Sequence, residues 1–111
     1  MTPDEMASRV RSEIGDSWDT TNLHGVDLRK ALVRPRRINV IERFVEDGKT
    51  RDEIAEAWLV LVENATAGGG YRIVARLDGS QFGLASEGWP SDQHLVMCGW
   101  YGDFMTTFQG M

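Results

Sequence analysis

Trp58-Leu-Val-Leu-Val-Glu-Asn64, then Ala65-Thr-Ala-Gly-Gly-Gly70, Tyr71-Arg-Ile-Val-Ala-Arg-Leu77, Asp78-Gly-Ser80 and Gln81-Phe-Gly-Leu-Ala-Ser86 follow one another without a break. Three short runs rich in branched and aromatic residues are separated by two turn signals, the pattern of an antiparallel meander. On the middle run Tyr71, Ile73, Ala75 and Leu77 share one face and Arg72 and Arg76 the other. That alternation predicts a sheet with one packed and one partly wet face.

Working outward, residues 50–63 admit two readings. Thr50-Arg51-Asp52-Glu53 has the form of a helix capping box, with Ile54, Ala57, Trp58 and Leu61 at helical spacing. The β-favouring run that follows, and the need of the next two runs for a partner, decide for a strand over 56–63. Upstream, Ile38, Val40 and Phe44 alternate along a strand over 36–46, closed by the turn Glu46-Asp47-Gly48-Lys49. Pro35 keeps Arg34 out of helical geometry, while Val26–Val33 has room for one or two helical turns. Thr2-Pro3-Asp4-Glu5 reads as a helix start, with Thr2 as N-cap, Pro3 in the first turn and Glu5 completing a capping box. Met6, Ala7, Val10 and Ile14 make its apolar face and Gly15 its stop. Downstream, 94–101 is apolar enough for a fifth strand. Residues 102–111 form a last helix burying Phe104, Met105 and Phe108.

The expected fold is therefore α+β: a four- or five-stranded antiparallel meander carrying a short N-terminal helix and a C-terminal helical segment on one face. The 111 residues form a single domain, large enough to bury a core without staples. A hydrophobic share of 41% and a charged share of 26% are ordinary for a globular protein, and no apolar run is long enough to cross a membrane. Cys98 is the sole cysteine, so no intrachain disulfide framework exists, and the acidic N-terminus does not resemble a signal peptide. A cytoplasmic setting is expected.

Net charge is −5, unevenly spread. Residues 27–37 hold five basic side chains, Arg29, Lys30, Arg34, Arg36 and Arg37, whereas residues 38–63 hold seven acids. The acidic balance argues against nucleic acid as a partner. The basic cluster would meet an anionic partner or neutralise those seven acids across the fold.

Catalytic patterns are weak. His94 and Cys98, four apart on a strand, lie ~13 Å apart along the backbone, too far for a thiolate–imidazole pair; a buried structural cysteine beside an exposed histidine is the simpler expectation. His24 and His94 belong to no metal-ligand spacing, so neither metal nor cofactor is expected. Gly68-Gly69-Gly70 lacks the following Lys-Ser or Lys-Thr of a phosphate loop and reads as a hairpin connection. Asp103, between Trp100-Tyr101 and Phe104, is the acid with the most apolar neighbours, but it is also placed to cap the last helix.

Trp89 stands out, a large aromatic within the loop Gly88-Trp-Pro-Ser-Asp92. The expected function is that of a small non-catalytic protein-binding domain, in the manner of an adaptor, inhibitor or immunity-type protein, recognising another protein of basic character. The binding residues are expected among Trp89, Trp100, Tyr101, Asp103, Arg34, Arg36 and Arg37. Two alternatives belong to other classes. One is a small-molecule enzyme using Asp103, His94 or Tyr101 in a pocket near the C-terminal aromatics. The other is a self-associating homodimer.

Overall fold

A computed structural model of the chain describes residues 1–64 and 69–111, and all of their side chains except those of Asn64 and Gly69. The order is α1 (Pro3–Ile14), α2 (Leu28–Ala31), β1 (Leu32–Glu46), β2 (Lys49–Asn64), β3 (Gly69–Arg76), β4 (Phe82–Ser86), β5 (Leu95–Gly102) and α3 (Phe104–Gly110). Consecutive strands pair antiparallel, as a meander should. The sheet then departs from the purely antiparallel expectation. β5 returns beside β1 and pairs with it in parallel through Val40↔Leu95 and Ile41↔Val96, closing a five-stranded barrel.

Closure packs the middle of the second face, while toward its end, at Arg76, it still meets water as expected. Val40, Ala57, Leu59, Val74 and Ala85, one or two from each of β1 to β4, meet Leu95, Met97 and Trp100 of β5 in one cluster that fills the barrel. Several of these side chains are small, because a barrel of so few strands has a narrow interior. Arg72 and Arg76 share this face with Val74.

The outer face carries the second and larger cluster; the N- and C-terminal helices pack there, as expected, and α2 joins them. Met6, Val10 and Ile14 of α1, Leu28 and Ala31 of α2, and Phe104 and Phe108 of α3 cover Trp58, Val60 and Leu61 of β2, Ile73 and Ala75 of β3, and Phe82 and Leu84 of β4. An irregularity in β2 between Leu59 and Leu61 lets both Val60 and Leu61 face the helices.

Local chemistry sets the element ends. The Thr2 hydroxyl accepts from Glu5 N–H at 3.1 Å, the Glu5 carboxylate accepts from Thr2 N–H at 2.9 Å, and Gly15 ends α1 at φ 57°. Asp47 and Gly48, both at positive φ (51° and 73°), make the two-residue turn between β1 and β2. That geometry matches the right-handed twist of the flanking strands. It also corrects the boundaries: β2 starts at Lys49 and β1 at Leu32, not at 56 and 36. The capping pattern Thr50–Glu53 is overridden, because the Asp47-Gly48 turn zips those residues against β1 from Glu46↔Lys49 onward. β1 accommodates Pro35 through a register shift between Leu32 and Arg36. Leu77 falls just beyond β3, and its carbonyl accepts from the Trp58 indole at 3.2 Å. Of the Gly68–Gly70 connection, Gly68 lies outside the described residues.

Asn22 ties the long loop after α1 to the C-terminal helix. Its amide donates to the Phe108 carbonyl at 3.0 Å, and its side-chain oxygen accepts from His24 and Val26 N–H, each at 3.0 Å, in a buried position. Asn22→Ala leaves these backbone groups unpaired, at a cost of about 1–3 kcal/mol. Urea unfolding of this variant will show a lower midpoint at unchanged slope; an unchanged midpoint would show that the loop contributes nothing to the fold.

Candidate functional site

The outer face of the β1–β2 hairpin extends past the helical layer, and near its free end it carries one arginine with four hydrogen bonds and a ring contact. Arg43 lies directly across from Asp52, as the register set by the Asp47-Gly48 turn requires. Its Nε and Nη2 donate to the two Asp52 carboxylate oxygens at 2.8 and 2.9 Å. Nη2 also donates to Asp92 Oδ1 at 2.9 Å and Nη1 to Asp92 Oδ2 at 3.4 Å. The guanidinium sits over the Trp89 ring, 4.3 Å from its centre. Such planar, charge-assisted pairing is what an arginine does better than a lysine.

The β4–β5 loop is thereby fastened to the hairpin. Asp92 Oδ2 accepts from Trp89 N–H at 2.7 Å and Trp89 C=O accepts from Asp92 N–H at 2.9 Å, so the loop closes on itself as well. Gly88 is needed there, since a Cβ at this position would run into the Asp92 carboxylate and Val96. The side chains of Arg43 and Asp92 are only 16% and 10% exposed. The hydrogen bonds from Arg43 hold the Asp52 and Asp92 carboxyls below their ordinary range, and those carboxylates in turn push the Arg43 guanidinium up.

Trp89 itself remains 60% exposed. Val45 and Ile54 lie on the same face of the hairpin, two residues beyond Arg43 and Asp52 along their strands, and are 74% and 58% exposed. Beside Trp89 opens a cleft of about 560 Å³ whose walls include Glu87, Pro90, His94 and Leu95.

The other residues singled out from sequence do not gather here. Trp100 turns toward the barrel interior, where its indole donates to Glu42 at 3.0 Å and Arg76 covers its ring at 4.2 Å. Tyr101 is exposed on β5. Asp103 is the N-cap of α3, accepting from Thr106 N–H at 2.7 Å, and those hydrogen bonds lower its pKa. Arg34 sits at the other end of β1, 3.7 Å from Asp4. Nine residues separate it from Arg43, roughly 30 Å of strand. It borders an apolar groove of about 300 Å³ with Val10 and Trp18. Arg36 is exposed, and Arg37 stacks 5.2 Å over Trp58 while reaching Glu56 at 4.0 Å. The basic cluster therefore meets N-terminal acids (Arg34 with Asp4, Arg29 with Asp19) as well as one acid of 38–63.

Cys98 is exposed, not buried as expected, because β5 presents its outer face beyond the helical layer; its sulfur lies 3.5 Å from the Ser86 hydroxyl. His94, half-buried, belongs to the β4–β5 loop. Between α3 and the sheet, where an enzyme pocket was an alternative, Phe104 and Phe108 are fully buried beside Phe82. Among the described residues no three His, Cys, Asp or Glu side chains gather as a metal ion would require, and no helix is long and apolar enough to cross a membrane.

Comparison with known proteins adds no identification: no protein-family model matches the chain, and no match is found among curated proteins or solved structures.

Proposed function

We propose that this chain is a protein-binding domain whose contact surface is the outer face of the β1–β2 hairpin, centred on Trp89. The observation that carries this reading is an exposed tryptophan held rigid before any partner arrives. Arg43, clamped by Asp52 and Asp92, backs its ring, and Val45 and Ile54 extend the apolar surface along the hairpin. A rigid aromatic anchor loses little entropy on binding, and tryptophan is among the residues enriched where binding energy concentrates. The hairpin belongs to the acidic segment 38–63, which suits a basic partner and would speed its capture.

Affinity capture from a lysate of the source cell, read by mass spectrometry, tests the reading. A basic protein retained by the wild type is expected to be lost with Trp89→Ala, whose affinity falls more than about tenfold. The variant should unfold at the wild-type denaturant concentration, because the side chain it removes is mostly in water. Equal retention by both proteins would move the contact surface elsewhere.

A further inference from the structure

The same hairpin has an edge as well as a face. β1 pairs with β2 along one side from Glu46↔Lys49 onward, but β3 joins the other side only from Ala57. Among the described residues, no strand lies beside the outer edge of Lys49–Glu56. The two-residue turn makes Glu46↔Lys49 a hydrogen-bonded pair, and such pairs alternate along an antiparallel ladder. Lys49, Arg51, Glu53 and Ala55 therefore aim their backbone groups at β1. Thr50, Asp52, Ile54 and Glu56 aim theirs outward, with no proline or register shift in this stretch to blunt the edge.

We infer that this edge pairs with the same edge of a second copy, joining two barrels through a continuous antiparallel sheet. Five of the eight side chains from Lys49 to Glu56 are charged, so the edge rejects an arbitrary strand and selects by charge. A two-fold axis normal to the sheet preserves each residue's face, which restricts pairing to residues an even number apart. In the register centred on Asp52, Arg51 faces the second copy's Glu53, Glu53 faces its Arg51, and Thr50 and Ile54 face each other. Opposite charges directly across a non-hydrogen-bonded pair stabilise, and the symmetry makes each contact count twice. The two Asp52 side chains meet at the axis, each already bound by its own Arg43. Every one of these registers sets like charges at its axis, but centring on Arg51 or on Glu53 loses both Arg51–Glu53 pairs, whereas in the Asp52 register each axial carboxylate is met by its own Arg43. Centring on Arg51 also runs the pairing into the Asp47-Gly48 turn sooner. The inference stands apart from the partner reading, because it uses the backbone edge of β2 and leaves the Trp89 face open.

Sedimentation equilibrium over a concentration series reaching about 1 mM, where weak associations become visible, tests it on the full chain. A dimer is expected, with Arg51→Glu and Glu53→Arg each raising its dissociation constant about tenfold or more. The double exchange Arg51→Glu/Glu53→Arg, which restores opposite charges across the axis, should bring it back. Ile54→Pro, which removes one outward N–H and leaves the bonds to β1 intact, should abolish it. A monomer throughout the series, or a dimer indifferent to the single exchanges, would overturn the inference.

Discussion

Phe104→Ala is expected to remove about 3–5 kcal/mol of stability, a large part of the ~5–15 kcal/mol that a domain of this kind possesses. Phe104 is fully buried at the start of α3, where it meets Phe82 edge-on with ring centres 5.6 Å apart and lies parallel to Phe108 at 6.3 Å. α3 has seven residues, too few to be stable without packing. Its first turn is held by the Asp103 cap and by the Glu13 carboxylate of α1, which accepts from Phe104 N–H at 2.7 Å. The truncation therefore leaves a cavity where α1, α3 and β4 meet. Thermal melting should fall by roughly 12 °C or more, while capture of the partner by the protein still folded stays intact. A loss below about 1 kcal/mol would mean that α3 does not anchor this core.

How much of this could be read from the chain depended on how local the cause was. α1 was legible because Thr2, Glu5 and Gly15 act within their own turns. β2 was half legible. Its start depends on Asp47-Gly48 and on pairing with β1, and both outweigh the helix-like signal of Thr50–Glu53. Barrel closure was not legible, since it rests on two parallel pairs, Val40↔Leu95 and Ile41↔Val96, between segments 55 residues apart, and no local pattern specifies such a pairing. At the site, the Gly-Trp-Pro-Ser-Asp loop singled out Trp89 but left open whether its ring packs down or faces water; the structure leaves it 60% exposed. Arg43 was missed as its support, although a signal existed: an Asp-Gly two-residue turn fixes the register and sets Arg43 opposite Asp52. Asp92, the other half of the clamp, arrives from 49 residues away and left no mark that spacing could detect. Arg34, Arg36 and Arg37 read as one cluster in the sequence, yet an extended strand spreads them over separate neighbours.

Arg43→Ala should do more harm to partner binding than Trp89→Ala, with a loss of about 30-fold or more, although Arg43 itself is mostly covered. The reason is geometric. Without the guanidinium, Asp52 and Asp92 face each other with no cation between them, and the ring of Trp89 loses its backing, so the β4–β5 loop leaves the hairpin. The Trp89 indole N–H resonance reports this directly: it should move toward a random-coil position and exchange faster with solvent, while the indole resonance of the buried Trp58 stays in place. Acid should produce the same release in the wild type. Because Arg43 lowers both carboxyl pKa values in the folded protein, the clamp is complete above the ordinary aspartate value of ~3.9 and is lost as pH falls through the lowered values. The Trp89 signal should hold steady from pH 7 to about 4 and shift below that. In Arg43→Ala the low-pH step should vanish, because protonation no longer breaks anything. A wild-type loop that stays docked at the acid end of the titration, or an Arg43→Ala protein with an undisturbed Trp89 resonance, would show that hairpin and loop hold together without the clamp.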